Sequence, residues 1–156
     1  MPIDSIDRRI LNCLQEDSSQ SNQELAEKIA LSPSACLRRV RALEEYGIIK
    51  GYRAVLDAEK LGFELEALVH VSLDQSRHRW SEEFIAAMAL HDEIVQASIV
   101  TGKSNYVLTV RTRDMKAFSR FIEDKLIQLP GVRDLCSHIV MRKVKDRSGM
   151  LPLDGI

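Results

Sequence analysis

Residues 21–53, SNQELAEKIALSPSACLRRVRALEEYGIIKGYR, carry the start and stop signals of two short helices joined by a tight turn. Ser21 is followed three residues later by Glu24, the spacing at which hydroxyl and carboxylate each satisfy an orphan amide at a helix start. Leu25, Ala26 and Ile29 supply one inward stripe, and Leu31 ends it. Ser32-Pro33 reads as an N-cap followed by proline in the first helical position, where a missing N–H costs nothing. From Pro33 the apolar positions Cys36, Leu37, Val40 and Leu43 recur at helical spacing. Gly47 then offers a left-handed stop, so the second helix is expected to run to about Tyr46.

At about 100° per residue, Cys36, Val40 and Leu43 fall on one side of this second helix. Ser34, Arg38 and Arg41 fall nearly opposite, with Ala35 and Ala42 beside them and Arg39 on the flank. A face of small residues and arginines suits a DNA major groove, because short side chains allow close approach and guanidinium groups match guanine edges or phosphates. The stretch from Leu31 to Arg53 carries a net charge of +3 within a chain whose formal charge is −1. Its arginines lie toward the helix start and Glu44 and Glu45 toward the end, an order that opposes the helix dipole, so local helix stability does not explain it. The pattern predicts a helix-turn-helix over about residues 22–41. DNA contacts are expected from Gln23, Ser32, Pro33, Ser34, Ala35, Arg38, Arg39 and Arg41. Upstream, Asp4 or Ser5 caps a helix with Ile6, Ile10, Leu11 and Leu14 inward, which gives a three-helix head. Downstream, Ile48, Ile49 and Tyr52 to Leu56 suit a short strand and wing, with Lys50 and Arg53 toward the phosphate backbone.

These residues resemble a known family. The run from Ile3 to Asp57 is similar to the N-terminal domain of the Lrp/AsnC regulators, the leucine-responsive and feast/famine transcription factors. The resemblance rests on Asp4-Ser5-Ile6-Asp7 with Ile10-Leu11, on Leu31-Ser32-Pro33-Ser34 with Cys36, Arg39-Val40 and Leu43-Glu44, and on Gly47-Ile48-Ile49 with Gly51-Tyr52. It extends to the end of the chain. It implies an α+β protein, a winged helix-turn-helix followed by a ferredoxin-like βαββαβ domain of the RAM/AsnC type.

Composition agrees with a soluble regulator. The 156 residues, 45% of them apolar, suffice for two small cores, and no apolar run approaches the roughly 20 residues that span a bilayer. Met1-Pro2 leads into the first helix without a signal peptide, so a cytoplasmic location and no membrane partner are expected. Cys13, Cys36 and Cys136 show neither a paired framework nor metal-ligand spacing and read as buried small apolar residues. His70, His78, His91 and His138 lack i,i+3 or i,i+4 pairing, and no metal or cofactor is expected. Trp80 reads as a packing anchor, and Met88, Met115 and Met141 as core filler. No catalytic residue is assigned, because the chain has no phosphate-cradling glycine motif, no GxSxG and no nucleophile with a base at a telling spacing.

The run Asp57 to Gly62 loses the strand pattern and is polar, so the domains are expected at 1–62 and 63–156. Beyond it, Leu65, Ala67, Val69, Val71 and Leu73 alternate with Glu64, Glu66, His70 and Ser72 in a strand. Ser81-Glu82-Glu83 opens a helix, strands follow at about Ile94 to Thr101 and Tyr106 to Thr112, Asp114 caps another helix that stops at Pro130-Gly131, and Val132 to Lys145 is a last strand. The order βαββαβ places both helices on one sheet face. The other face carries Leu68 beside His70 and Ser72, with Val107 or Leu108 from the third strand, and is too apolar to be left in water.

The resemblance implies that two such sheets pack face to face in a homodimer and that dimers assemble into octamers. It also implies an effector pocket at a hairpin usually reading GxxDY, where a free amino acid binds. Here the string is Thr101-Gly102-Lys103-Ser104-Asn105-Tyr106. Asn105 keeps an acceptor but loses the charge that favours an ammonium group, and Lys103 adds a cation that favours a carboxylate. Two readings remain: a ligand-responsive regulator of double-stranded DNA, and an enzyme resembling the sirohaem decarboxylases, with His70, His138 and Tyr106 around a tetrapyrrole. The exposed arginine face has no purpose in the second.

Overall fold

A computed structural model describes residues 2–74, 80–145 and 153, with Trp80 described in its backbone only; His78 and the Trp80 side chain lie outside the described residues. Two compact units divide the chain, one reaching Val55 and the other spanning Leu56–Val144.

The first unit holds α1 (Ser5–Glu16), α2 (Asn22–Ile29) and α3 (Pro33–Glu45). Asp4 and Asp7 close a capping box at the start of α1, and Ser21 and Glu24 close another at the start of α2. Ser32 caps α3, its Oγ accepting the Ala35 N–H. Gly47, at φ +71°, ends α3 in a Schellman motif: its own N–H donates to Glu44, and Ile48 N–H donates to Leu43. The helices are 12, 8 and 13 residues long, near or below the ~12–15 residues at which isolated helices become marginal in water. Tertiary burial therefore holds them, through Ile10, Leu25, Ala26, Ile29, Cys36 and Leu43 at the centre and Ile6, Leu11, Leu14 and Val40 around it. No strand forms over residues 46–64, directly after α3. Residues 50–57 run without ladder partners, and Gly51 at φ +150° interrupts the extended backbone that a strand between Ile48 and Leu56 would need.

The second unit contains β1 (Leu65–Leu73), α4 (Trp80–Met88), β2 (Ile94–Ile99), β3 (Tyr106–Thr112), α5 (Met115–Asp124) with a short 3₁₀ turn (Leu126–Gln128), and β4 (Val132–Ile139). The antiparallel sheet has the order β2-β3-β1-β4. Its covered face buries Ala67, Val69, Val71, Leu108 and Val110 against Phe84 of α4 and Phe118 and Phe121 of α5. β4 is shorter than the alternation suggests for a physical reason. Val140 N–H donates to Glu66 at 2.9 Å, and β1 begins at Leu65, so no partner strand exists for Met141 to Lys145. β2 likewise stops at Ile99, because Val100 N–H donates to the Asn105 carbonyl and closes the hairpin.

Val107, not Leu108, joins the open sheet face, since Val107 pairs with His70 in register and Leu108 is buried beneath the helices. Leu68, His70, Cys136 and His138 share that open face, where the His70 and His138 rings meet edge to face at 5.2 Å. Cys136 is exposed rather than buried, as are Met115 and Met141, because one lies on this face, one in the first turn of α5 and one beyond the end of β4. Beside Leu68 and His138, the chain from Ile139 to Val144 borders an open groove of about 580 Å³.

Candidate nucleic-acid interface and effector hairpin

The outward face of α3 is built by the same periodicity that buries Cys36 and Leu43. Ser32, Pro33, Ser34, Arg38 and Arg41 are exposed, Ala35 is half-buried, and Ser32 Oγ lies 3.3 Å from Ser34 Oγ. Arg38 and Arg41 are in no ion pair among the described residues. They are two cations on one face, three residues apart and unneutralised.

Arg39 is placed differently. Its Nη1 donates to Asp4 Oδ2 and to Asp7 Oδ1, each at 2.8 Å, so its guanidinium is turned toward α1 and not presented with its neighbours. Asp7 is 1% exposed, and Arg39 supplies the charge that makes a buried carboxylate tolerable. The backbone N–H of Asp7 and then the Arg39 guanidinium hold the Asp4 carboxyl below its ordinary pKa. Hydrogen bonds to Asp7 and Asp4 raise Arg39 further still. The sequence offers Asp4 or Ser5 as the helix cap, but nothing in it says that Arg39 reaches Asp7 from 32 residues away.

The segment after α3 is tied back by Tyr52, whose hydroxyl donates to Glu44 Oε1 at 2.8 Å. Burial first, then Glu44, pushes the Tyr52 phenol up to about 12. Lys50 and Arg53 flank this anchor and are exposed. Gln23, in the first turn of α2, is exposed, with Nε2 3.3 Å from Glu27 Oε1. Asn22, beside it, donates from Nδ2 to the Pro33 carbonyl at 2.8 Å, a link across the turn that neither capping nor periodicity signals.

In the hairpin of the second unit, Thr101, Gly102 and Lys103 are exposed and Ser104 and Asn105 half-buried. Gly102 sits at φ +115° with open space where a Cβ would stand. Asn105 is fixed twice: its backbone N–H donates to Val71, and its Oδ1 accepts the Leu73 N–H at 2.7 Å. Because a backbone N–H can only donate, that contact fixes Oδ1 as the acceptor and leaves the Nδ2 donor unused by it. Tyr106 is a core residue, 4% exposed, packed on Phe84 and bonded through its hydroxyl to Ser81 Oγ at 2.6 Å. It therefore faces the helices, whereas His70 and His138 lie on the opposite sheet face, and the three do not converge on one cavity. Among the described residues no group of three or more His, Cys, Asp or Glu side chains is arranged to hold a metal ion, and no helix is long and apolar enough to cross a membrane.

A helix-turn-helix with an unneutralised arginine face, followed by a ferredoxin-like domain, defines the class: a DNA-binding transcriptional regulator. Residues 3–50 match the winged helix-turn-helix DNA-binding family, and residues 66–150 match the Lrp/AsnC ligand binding domain. The leucine-responsive regulatory protein of Salmonella typhimurium is 39% identical over 149 residues, covering 96% of this chain and 91% of that protein. A transcriptional regulator of Neisseria meningitidis solved in complex with L-methionine superimposes with a TM-score of 0.94 at 37% identity, covering 98% of both chains. A feast or famine regulatory protein from M. tuberculosis, also solved with L-methionine, superimposes with a TM-score of 0.87 at 30% identity, covering 97% of this chain and all of that one. The chain belongs to the Lrp/AsnC family of transcriptional regulators, and the decarboxylase reading finds no support among these relatives.

Proposed function

We propose that this chain is a cytoplasmic homo-oligomeric regulator that reads DNA through Arg38 and Arg41 and responds to a small effector at residues 101–105. The observation that carries the reading is the division of three neighbouring arginines. Arg39 is consumed by Asp4 and Asp7, while Arg38 and Arg41 stay exposed and unpaired on the face that has small residues at its start. Ser32, Ser34 and Gln23 are assigned to phosphate and groove-edge contacts, and Lys50 and Arg53 to the phosphate backbone beyond the groove.

The effector is assigned to the amino-acid class on the strength of the L-methionine complexes of two similar regulators. The exposed backbone around Gly102 can hold a carboxylate, and the Asn105 Nδ2 donor, which the Leu73 contact leaves unused, favours with Lys103 the acid end of such a ligand. Two sheets meeting on their open faces are assigned as the dimer core, with octamers formed from dimers. Leu68, with Met141 and Val144 beyond the end of β4, supplies apolar contact there. A two-fold dimer suits recognition helices about 34 Å apart on half-sites one DNA turn apart.

Selection of bound fragments from genomic DNA by the purified protein, followed by gel shifts across a salt series, tests the reading. The expected result is a recurrent two-fold related sequence bound with steep salt dependence. Fragments without a shared sequence would contradict it.

A further inference from the structure

Asn22 opens α2 and Pro33 opens α3, and the 2.8 Å bond from Asn22 Nδ2 to the Pro33 carbonyl joins these two starts across the turn. Within an α-helix that carbonyl already faces the N–H four residues on, that of Leu37, so the amide is a second donor that the helix itself does not require. The other end of the same side chain is unsatisfied. Asn22 Oδ1 is buried and has no hydrogen-bond partner among the described residues. Removing an amide oxygen from water without a partner is unfavourable, so local stability does not explain an asparagine at this position.

What the bond supplies is geometry. α3 is gripped at Pro33 by α2 and at Arg39 by α1, two points about 9 Å apart along its axis at 1.5 Å per residue. One anchor would let a helix pivot; two fix its direction. In helix-turn-helix docking the first helix crosses the DNA backbone while the second lies in the groove, so the angle between them decides whether both can be seated together.

We infer that Asn22 is a positioning residue for DNA recognition: it sets the angle of α3 against α2 at the cost of a buried, unpaired oxygen, and acts through Pro33 without touching a base. An error of even half an ångström in the first turn is passed on to Ser34, Arg38 and Arg41.

The test uses the full chain carrying Asn22→Ala or Asn22→Gln. The DNA probes are a duplex selected from random sequence on the wild-type protein and a scrambled duplex of equal length. Alanine removes the donor and the orphan oxygen together, whereas glutamine keeps the amide but shifts it by one methylene. For both variants affinity for the selected duplex should fall about tenfold, or about 1.4 kcal/mol, with affinity for the scrambled duplex changed less than about twofold. The melting temperature of Asn22→Ala should equal or exceed that of wild type.

A lowered melting temperature with an unchanged ratio of the two affinities would overturn the proposal in favour of a merely structural amide. Equal losses on both duplexes, with the salt slope unchanged because the amide carries no charge, would overturn it in favour of direct phosphate contact. Wild-type binding by Asn22→Gln would show that the donor's position is immaterial. That result also overturns it.

Discussion

The three arginines of α3 separate by partner, not by type. Sequence places Arg38 and Arg41 on the outward face and Arg39 on the flank, but a flank position is ambiguous until its neighbours are known. Asp4 and Asp7 settle it, and their approach depends on how α1 packs against α3, a tertiary fact that a helical wheel does not contain. Arg39→Ala leaves the Asp7 carboxylate buried and without its ion partner. The head should lose about 1–3 kcal/mol, short of the roughly 3–5 kcal/mol of a fully buried pair because water reaches Arg39 and Asp4. Chemical denaturation followed by far-UV circular dichroism measures this, and a loss under about 0.5 kcal/mol would remove the clamp.

The same pair gives a pH dependence with a definite sign. Asp4 has a folded pKa below its ordinary 3.8, so its contribution is complete above that value and is lost as pH falls through the lowered one. Between about pH 5 and pH 2 wild type should lose more stability than Arg39→Ala. Parallel curves would contradict the assignment.

At the scale of elements, caps and periodicity were legible and chain partners were not. The Ser21 and Glu24 capping box, the choice of Asp4 or Ser5 as the α1 cap, the Ser32 cap, the Gly47 stop and the alternation in β1 lie in contiguous residues, and the helices and strands fall where they point. The ends of β2 and β4, and the missing strand after Ile49, depend on what lies alongside, which local pattern cannot supply. One local conflict survives in the fold: Ala30 ends α2 in the left-handed region at φ +59°. Glycine tolerates that conformation, so Ala30→Gly should stabilise the head by about 0.5–1 kcal/mol after allowing for the freer unfolded chain. A lowered denaturation midpoint would show that the Ala30 methyl group contributes packing that outweighs the strain.

The hairpin offers a second test at this scale. Asn105→Asp retains an acceptor for the Leu73 N–H, so its stability should stay within about 0.5 kcal/mol of wild type. The change instead replaces the Nδ2 donor, which the Leu73 contact does not use, with an acceptor. Calorimetry should then show zwitterionic amino acids gaining on simple carboxylates by about 1.5–3 kcal/mol, the size of one charge-assisted hydrogen bond. An unaltered preference would remove Asn105 from the ligand contact.

For the whole molecule, the order of elements was readable because alternation and helical periodicity switch cleanly along the chain, and the open sheet face follows from that order. Which side chains occupy it was less readable. A single-residue ambiguity at Val107 or Leu108 reverses the face, and only the register with His70 resolves it. If that face is the dimer core, Leu68→Lys should weaken self-association at least tenfold in sedimentation equilibrium while the protein stays folded. Unchanged association would place the interface elsewhere.

The central claim is that α3 reads bases through Arg38 and Arg41 while Arg39 holds the helix. Its most direct measurement is the affinity of Arg38→Ala, Arg41→Ala and Arg53→Ala for a selected and a scrambled duplex over a salt series. Arg38→Ala and Arg41→Ala should each lose about 1–3 kcal/mol on the selected duplex, with relaxed preference at particular positions. Arg53→Ala should lose affinity equally on both duplexes and lower the salt slope by about one. Unchanged affinity of both Arg38→Ala and Arg41→Ala for the selected duplex would contradict it.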